Sequence, residues 1–110
     1  MLKGKTALVT GGSRGLGLQM AHALGEAGAR IMLSSRKASD LEEATAQLQA
    51  AGIDARWIAA DCANEADIRR LADETLERMG PVDILVNNAG INGPVLPVAE
   101  YPIDAWQRVL

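Results

Sequence analysis

Four glycines fall within seven positions near the start of the sequence, in the run TGGSRGLG at residues 10–17. Glycines at this density cost conformational entropy unless the backbone needs a tight turn or a close approach to a ligand. A glycine-rich turn that leads into a helix offers free N–H groups and the positive end of the helix dipole to a phosphate. The run therefore predicts a pyrophosphate site, although its spacing differs from G-x-G-x-x-G and a turn that binds nothing could have the same composition.

A second motif, NNAG, occupies residues 87–90, directly after a short apolar run. In open α/β sheets, ligands bind beyond the carboxyl ends of the strands, at the point where the strand order reverses. With a strand order of 3-2-1-4, that point lies between the first and fourth strands. We therefore expect NNAG to face the glycine run across a crevice, although NNAG taken alone also fits an ordinary polar turn.

Short apolar runs alternate with longer segments of helical periodicity, and these elements must position the two motifs. One helix between each pair of strands is typical of βαβ units and a parallel sheet. The predicted strands cover residues 6–10, 30–34, 55–60 and 83–87. A loop follows at residues 89–102, and a further helix is predicted to begin near Ile103.

Three helices are predicted between the strands. The first runs from about Leu16 to Ala27, and Asn64 is expected to cap the third. Ser39, with Glu42 three residues later, predicts a capping box at the start of the second helix. The buried face of that second helix is predicted from its spacing to be Leu41, Ala44, Leu48 and Ala51.

The composition excludes several classes of function. The 110 residues are 48% hydrophobic and 23% charged, with a net charge of −3, as in an ordinary single globular domain. A weakly acidic chain has no electrostatic footprint for nucleic acid or an anionic membrane, and no apolar run approaches the ~20 residues of a membrane span. The single cysteine, Cys62, excludes an internal disulfide and a cysteine-based zinc site. We expect a cytoplasmic protein without a metal site.

The motifs together resemble the classical short-chain dehydrogenase/reductase family. The resemblance rests on T-G-x-x-x-G-x-G after the first strand, Asp61 after the third and N-N-A-G after the fourth, and it extends from Gly4 to the segment around Trp106. Within the family, the sequence is most similar to 3-oxoacyl-carrier-protein reductases and gluconate 5-dehydrogenases. The resemblance implies an α/β fold, a Rossmann-type doubly wound parallel sheet truncated after the fourth strand and the start of the following helix. Residues 1–110 would form a partial NAD(P)-binding domain.

The resemblance also assigns cofactor-binding roles to individual residues. Asp61 matches the residue that hydrogen-bonds the adenine amino group, and Cys62 contributes backbone beside it. Taken alone, Asp61 would be a solvated turn carboxylate and Cys62 a small buried residue. The matching residues of the glycine run and of NNAG are Gly11, Ser13, Arg14, Gly15, Leu16, Gly17, Asn88, Ala89 and Gly90.

The residues after the second strand bear on the choice of cofactor. NAD binders place a carboxylate here for the ribose 2′-OH, whereas this sequence has Ser35, Arg36 and Lys37. Arg36 can bind a 2′-phosphate with its planar fork of donors, and Arg14 can add a second positive charge. The sequence therefore favours NADP over NAD, unless Arg36 and Lys37 are merely solvated turn residues.

None of the 110 residues is predicted to be catalytic. The family's helix Asn, its Ser and its Tyr-x-x-x-Lys pair lie beyond the matched region, and Tyr101 does not open that pattern. We expect the cofactor-binding half of a homo-oligomeric NADP-dependent oxidoreductase that acts on a small-molecule carbonyl or secondary alcohol. Alone, this half would be inactive and poorly soluble, because its fourth strand is an apolar edge. The alternatives are a non-catalytic dinucleotide-binding fragment or pseudo-enzyme, and an NAD-preferring sugar-alcohol dehydrogenase.

Overall fold

A computed structural model of the chain describes residues 1–88, which form three helices and a four-stranded sheet. The strands are β1 (Thr6–Thr10), β2 (Arg30–Ser35), β3 (Ala55–Ala59) and β4 (Ile84–Asn87), and the helices are α1 (Gly15–Glu26), α2 (Ala38–Ala50) and α3 (Glu65–Met79). All strand pairs are parallel, in the order β3-β2-β1-β4. The predicted α/β Rossmann-type sheet and its order are confirmed. The loop predicted at residues 89–102 and the helix predicted from Ile103 lie outside the described residues.

The apolar runs form strands because both faces of the sheet are covered by helices. All five residues of β1 are buried, as expected for a central strand of a parallel sheet. On one face, Leu8 and Met32 pack with α3 residues such as Leu71. On the other face, Val9 and Leu33 belong to the cluster that includes side chains of α1 and α2. Among residues 1–88, β4 lies at one edge of the sheet, and its apolar side chains are half-buried.

The start of α2 differs from the prediction. The helix begins at Ala38, one residue before the predicted cap Ser39, and no side chain of the described residues caps it. Ser39 therefore lies in the first turn, and its spacing to Glu42 places both residues inside the helix. The predicted buried face is wrong at Ala51, which is exposed because the helix ends at Ala50. The buried residues of α2 are Leu41, Ala44, Thr45 and Leu48.

Side chains at the amino edge of the sheet fix how the elements meet. Arg30 Nη2 donates to Thr6 Oγ1 at 3.1 Å and also to the carbonyl of Met79 at the end of α3. The Asp83 carboxylate accepts the Thr6 N–H at 2.8 Å, and the Asp83 N–H donates back to the Thr6 carbonyl. These bonds hold β1, β2, α3 and the start of β4 together, and leave the opposite, carboxyl edge to loops.

A buried hydroxyl on α3 gives a stability prediction. Thr75 is fully buried, and its Oγ1 has no hydrogen-bond partner among the described residues. Replacing Thr75 with valine keeps the side-chain shape and removes the desolvated hydroxyl, so we expect the free energy of unfolding to rise by about 1 kcal/mol. Chemical denaturation measures this change. Thr6→Val is the control: it removes an acceptor of Arg30, and we expect it to destabilise. A lower stability of Thr75→Val would contradict the prediction.

Candidate functional site

The glycine loop, residues 11–17, connects β1 to α1 at the carboxyl edge of the sheet, and its last three residues form the start of α1. The N–H groups of Gly11 and Gly12 both donate to the carbonyl of Ser34 in β2, at 2.7 and 3.2 Å. Gly11 and Gly15 have positive φ angles of 66° and 60°, a region that disfavours residues with a side chain. The loop therefore folds over the end of β2 in a conformation that its sequence specifies.

Gly17 is the point of closest approach between α1 and the rest of the edge. A Cβ at this position would lie against the Gly11 carbonyl oxygen and 2.7 Å from Asn88 Nδ2. Gly17 is buried, so a side chain here would have no route to solvent. The first turn of α1 consequently packs directly on the backbone of the loop and on the residue after β4.

Asn88 connects the end of β4 to the glycine loop. Its N–H donates to Thr10 Oγ1 at 3.1 Å, and its Nδ2 donates to the Gly11 carbonyl at 3.3 Å. The Thr10 hydroxyl also lies 3.1 Å from Asn87 Oδ1. The segment after β4 thus lies beside the glycine loop, as the sequence predicted. Asn88 Oδ1 is buried and accepts no hydrogen bond from residues 1–88, so this site has a polar atom free to bind a donor.

The amino end of α1 has the features of an anion site. Arg14 is the N-cap residue, no side chain of residues 1–88 caps the helix, and its first turn has no acidic residue. The first N–H groups of an α-helix have no partner within the helix, and the helix dipole is positive at this end. Ser13 is half-buried, while Arg14 and Leu16 are exposed, Leu16 by 54%. The helix start therefore offers donors and positive charge together.

The end of β2 adds further positive charge at the same edge. Ser35 is half-buried, and its Oγ accepts the N–H of Lys37 at 3.4 Å. Arg36 and Lys37 are exposed, and no carboxylate occurs between residues 34 and 39. Since β1 and β2 are adjacent, the two arginines, Arg14 and Arg36, follow neighbouring strands at the carboxyl edge.

The third predicted loop follows β3. Asp61 is half-buried, and its Oδ1 accepts the N–H of Ala63 at 2.9 Å. Its own N–H donates to Asp67 Oδ2 at 2.8 Å, a contact that sequence reasoning missed. The predicted cap of α3 is confirmed, because Asn64 Oδ1 accepts the Asp67 N–H at 3.0 Å. The same Asn-x-x-Asp spacing was the only signal in the sequence that Asp67 belongs to this turn.

Cys62 lies beside Asp61 and is buried, with 7% of its surface exposed. Burial, and to a lesser extent the carboxylates of Asp61 and Asp67, raise the pKa of the Cys62 thiol to about 11. The thiolate is the nucleophile, so we expect the folded protein to resist alkylation by iodoacetamide between pH 7 and 9. Mass spectrometry of the native protein measures the modification, and the unfolded protein is the positive control. Rapid alkylation of the folded protein at pH 7 would contradict the prediction.

Nine of the predicted positions are glycine-loop or NNAG residues, and the structure describes seven of them and brings those seven to one edge. Ala89 and Gly90 lie outside the described residues. Gly11, Ser13, Arg14, Gly15, Leu16, Gly17 and Asn88 surround the junction of β1, α1 and β4, Ser35 and Arg36 follow β2, and Asp61 and Cys62 follow β3. Their roles in binding a cofactor stay predictions.

A separate groove of about 660 Å³ runs along the outer edge of β3, between α2 and α3. None of the predicted site residues lines it. Two carbonyls of this edge are already bonded: Gln49 Nε2 donates to Ala55 at 3.0 Å, and Arg70 Nη2 donates to Ala59 at 2.7 Å. We therefore place the candidate site at the carboxyl edge, not in this groove.

Among residues 1–88, no group of three or more His, Cys, Asp or Glu side chains is placed to hold a metal ion. No helix in the same range is long and apolar enough to cross a membrane.

Comparison with known proteins gives one consistent family. The family model described as short chain dehydrogenase matches residues 5–110. The rhamnolipids biosynthesis 3-oxoacyl-(acyl-carrier-protein) reductase of Pseudomonas aeruginosa is 44% identical over 110 residues, which cover 99% of this chain and 42% of that protein. The chain spans about two fifths of the length of the curated relatives it matches.

Two solved structures have the same fold. The RhlG/NADP active-site complex of Pseudomonas aeruginosa has a TM-score of 0.77 and 42% identity, and the match covers 98% of this chain and 40% of that one. An actinorhodin polyketide ketoreductase with NADPH has a TM-score of 0.78 and 37% identity, over 96% of this chain and 40% of that one.

Proposed function

The chain belongs to the short-chain dehydrogenase family, and we propose that it is the dinucleotide-binding part of an NADP-dependent oxidoreductase. The intact protein would transfer a hydride between the nicotinamide and a small carbonyl compound or secondary alcohol. The observation that carries the proposal is the uncapped start of α1, which lies beside a glycine loop that has no room for a side chain at Gly12 or Gly17. Helix starts of this kind bind the pyrophosphate of a dinucleotide in Rossmann-type sheets.

The charges beside the loop support NADP rather than NAD. The 2′-phosphate of NADP carries the negative charge that distinguishes the two cofactors. Arg36 would bind this phosphate, and Arg14 would add a second cation, while no carboxylate at residues 34–39 opposes it. The similar actinorhodin polyketide ketoreductase and RhlG structures contain NADPH and NADP, which agrees with NADP as the cofactor.

The remaining predicted residues would hold the two ends of the cofactor. At the adenine end, Asp61 would accept a hydrogen bond from the amino group, with the Cys62 backbone beside it. At the nicotinamide end, Asn88, Ala89 and Gly90 would contact the ribose. The buried Asn88 Oδ1, which accepts no bond from residues 1–88, fits a role as acceptor for a ribose hydroxyl.

The bound cofactor supplies the hydride, and the residues of this chain bind and orient it. The 110 residues contain no Tyr-x-x-x-Lys sequence, so we assign them no part in protonating the substrate. We propose a cytoplasmic protein, and the family resemblance implies that it is a homo-oligomer.

The test is an activity assay of the natural protein with NADPH and a panel of carbonyl compounds that includes 3-oxoacyl thioesters, cyclic ketones and keto sugars. We expect carbonyl-dependent loss of the reduced nicotinamide absorbance, with the alcohol identified by mass spectrometry. NADPH binding without turnover of any carbonyl would favour the non-catalytic alternative. Failure to bind any dinucleotide would overturn the proposal.

A further inference from the structure

The turn between β3 and α3 is held by one carboxylate, that of Asp67, which lies outside the motifs that carry the family resemblance. Asp67 Oδ2 accepts the main-chain N–H of Asp61 at 2.8 Å, across six positions of sequence. The Asp67 N–H donates to Asn64 Oδ1, and the Asn64 N–H donates to the Asp61 carbonyl at 2.9 Å. The main chain of Asp61 is therefore bonded through both its N–H and its carbonyl to the start of α3.

Arg70 contacts the other carboxylate oxygen of Asp67. Its Nη2 lies 3.8 Å from Asp67 Oδ1 and donates to the carbonyl of Ala59, the last residue of β3, at 2.7 Å. The Arg70 Nη1 is bonded to Glu74 at 2.8 Å, which fixes the guanidinium along α3. Thus Oδ2 of Asp67 bonds the Asp61 main chain, and Oδ1 faces Arg70. These contacts connect the end of β3, the turn and α3.

The Asp61 carboxylate is oriented as a result. Its Oδ1 accepts the Ala63 N–H at 2.9 Å, a local bond that sets the side-chain direction relative to the main chain. The main chain in turn is set by Asp67. No residue from 1 to 88 donates to the second carboxylate oxygen of Asp61, which leaves that oxygen free to accept from a ligand.

From these contacts we propose that Asp67 is a positioning residue that sets where Asp61 presents its carboxylate, and thereby the affinity for the adenine end of the cofactor. The inference rests on the proposed function, because it requires that Asp61 bind the adenine amino group. It adds a residue outside the glycine loop and the NNAG segment. Asp67 itself does not touch the cofactor.

If Asp67 only stabilised the helix, its replacement would have a different effect from the one proposed. An acidic side chain in the first turn of a helix stabilises the helix through the dipole, whatever else it contacts. Glu65 lies in the same turn and has the same charge, but its carboxylate bonds Arg69 at 3.1 Å and does not contact Asp61. Glu65→Ala is therefore a matched control for charge and helix stability.

The experiment compares Asp67→Ala, Asp67→Asn and Glu65→Ala with the parent form of the natural protein. Calorimetry measures the Kd for 2′,5′-ADP, which is the adenosine end of the cofactor, and for reduced nicotinamide mononucleotide. We expect Asp67→Ala to raise the Kd for 2′,5′-ADP about tenfold and to leave the other Kd unchanged. Asp67→Asn retains an oxygen acceptor and should restore most of the affinity, while Glu65→Ala should change neither Kd.

If Asp67→Ala and Glu65→Ala weaken 2′,5′-ADP binding equally, or if neither does, Asp67 acts only on the helix and the proposal is wrong. If Asp67→Ala does not fold, Asp67→Glu decides, because it keeps the charge and displaces the carboxylate. An unchanged Kd in Asp67→Glu contradicts the proposal, and a raised Kd at unchanged melting temperature supports it. Failure of the proposed function would differ, since the parent protein would then bind no 2′,5′-ADP at all.

Discussion

Replacing Gly17 with alanine is expected to weaken NADPH binding by about a hundredfold. The added Cβ would press against the Gly11 carbonyl and lie 2.7 Å from Asn88 Nδ2, so the loop and the residue after β4 would have to move apart. Those are the groups that bring the loop, α1 and β4 together at the candidate site. We also expect the free energy of unfolding to fall by about 1 to 3 kcal/mol. Calorimetry with NADPH and thermal denaturation measure the two effects.

Gly25→Ala provides the matched control within the same helix. A Cβ at Gly25 would lie 2.6 to 2.9 Å from the side chain of Ile53, a steric conflict far along α1 from the glycine loop. This variant should lose stability and keep the parent Kd for NADPH when measured at a temperature where it is folded. The account is contradicted if Gly17→Ala binds NADPH as the parent does, or if Gly25→Ala loses as much affinity.

Arg36→Asp is expected to remove the preference for NADP. The change deletes a bidentate donor to the 2′-phosphate and puts a negative charge in its place, so the Kd for NADPH should rise about a hundredfold. NADH has a hydroxyl at this position and no charge to repel, so its Kd should change by less than about threefold. Competition titrations with both cofactors at one ionic strength give the ratio directly.

Lys5→Asp is the control for overall charge. It makes the same change in net charge at an exposed residue before β1, at the opposite edge of the sheet. We expect no change in the ratio of the two Kd values. Arg36 is not the 2′-phosphate ligand if Lys5→Asp weakens NADPH binding as strongly, or if Arg36→Asp weakens NADH binding to the same degree. A parent protein that prefers NADH would favour the NAD-preferring alternative.

The elements of this fold are predictable because their signals are local and repeated. The apolar run of β1 lies between Gly4 and the glycine loop, and that of β2 follows the turn at Gly28. The spacing of Ile68, Leu71, Thr75 and Met79 specifies the buried face of α3. The predicted strands agree with the structure to within a residue. The start of α2 was less predictable, since Ser39 and Glu42 have capping-box spacing but the helix begins one residue earlier without a cap.

The site was predictable as a set of loops but not as a set of contacts. Parallel strands bring their carboxyl ends to one edge, so the glycine loop and Asn88 could be expected to face each other. The hydrogen bond from Asn88 Nδ2 to Gly11 and the one from Asp61 to Asp67 depend on side-chain directions that no periodicity encodes. From the sequence, Asp67 is an ordinary acidic residue of a helix start, and only the structure places its carboxylate on the main chain of Asp61.

The most direct measurement of the central claim is an equilibrium titration of the natural protein with NADPH and with NADH. We predict one site per chain, a Kd for NADPH at least about tenfold below that for NADH, and NADPH binding about a hundredfold weaker in Gly17→Ala. The absence of binding to both cofactors, or equal binding of NADPH by the parent and Gly17→Ala, would contradict the claim that the carboxyl edge around the glycine loop is a dinucleotide site.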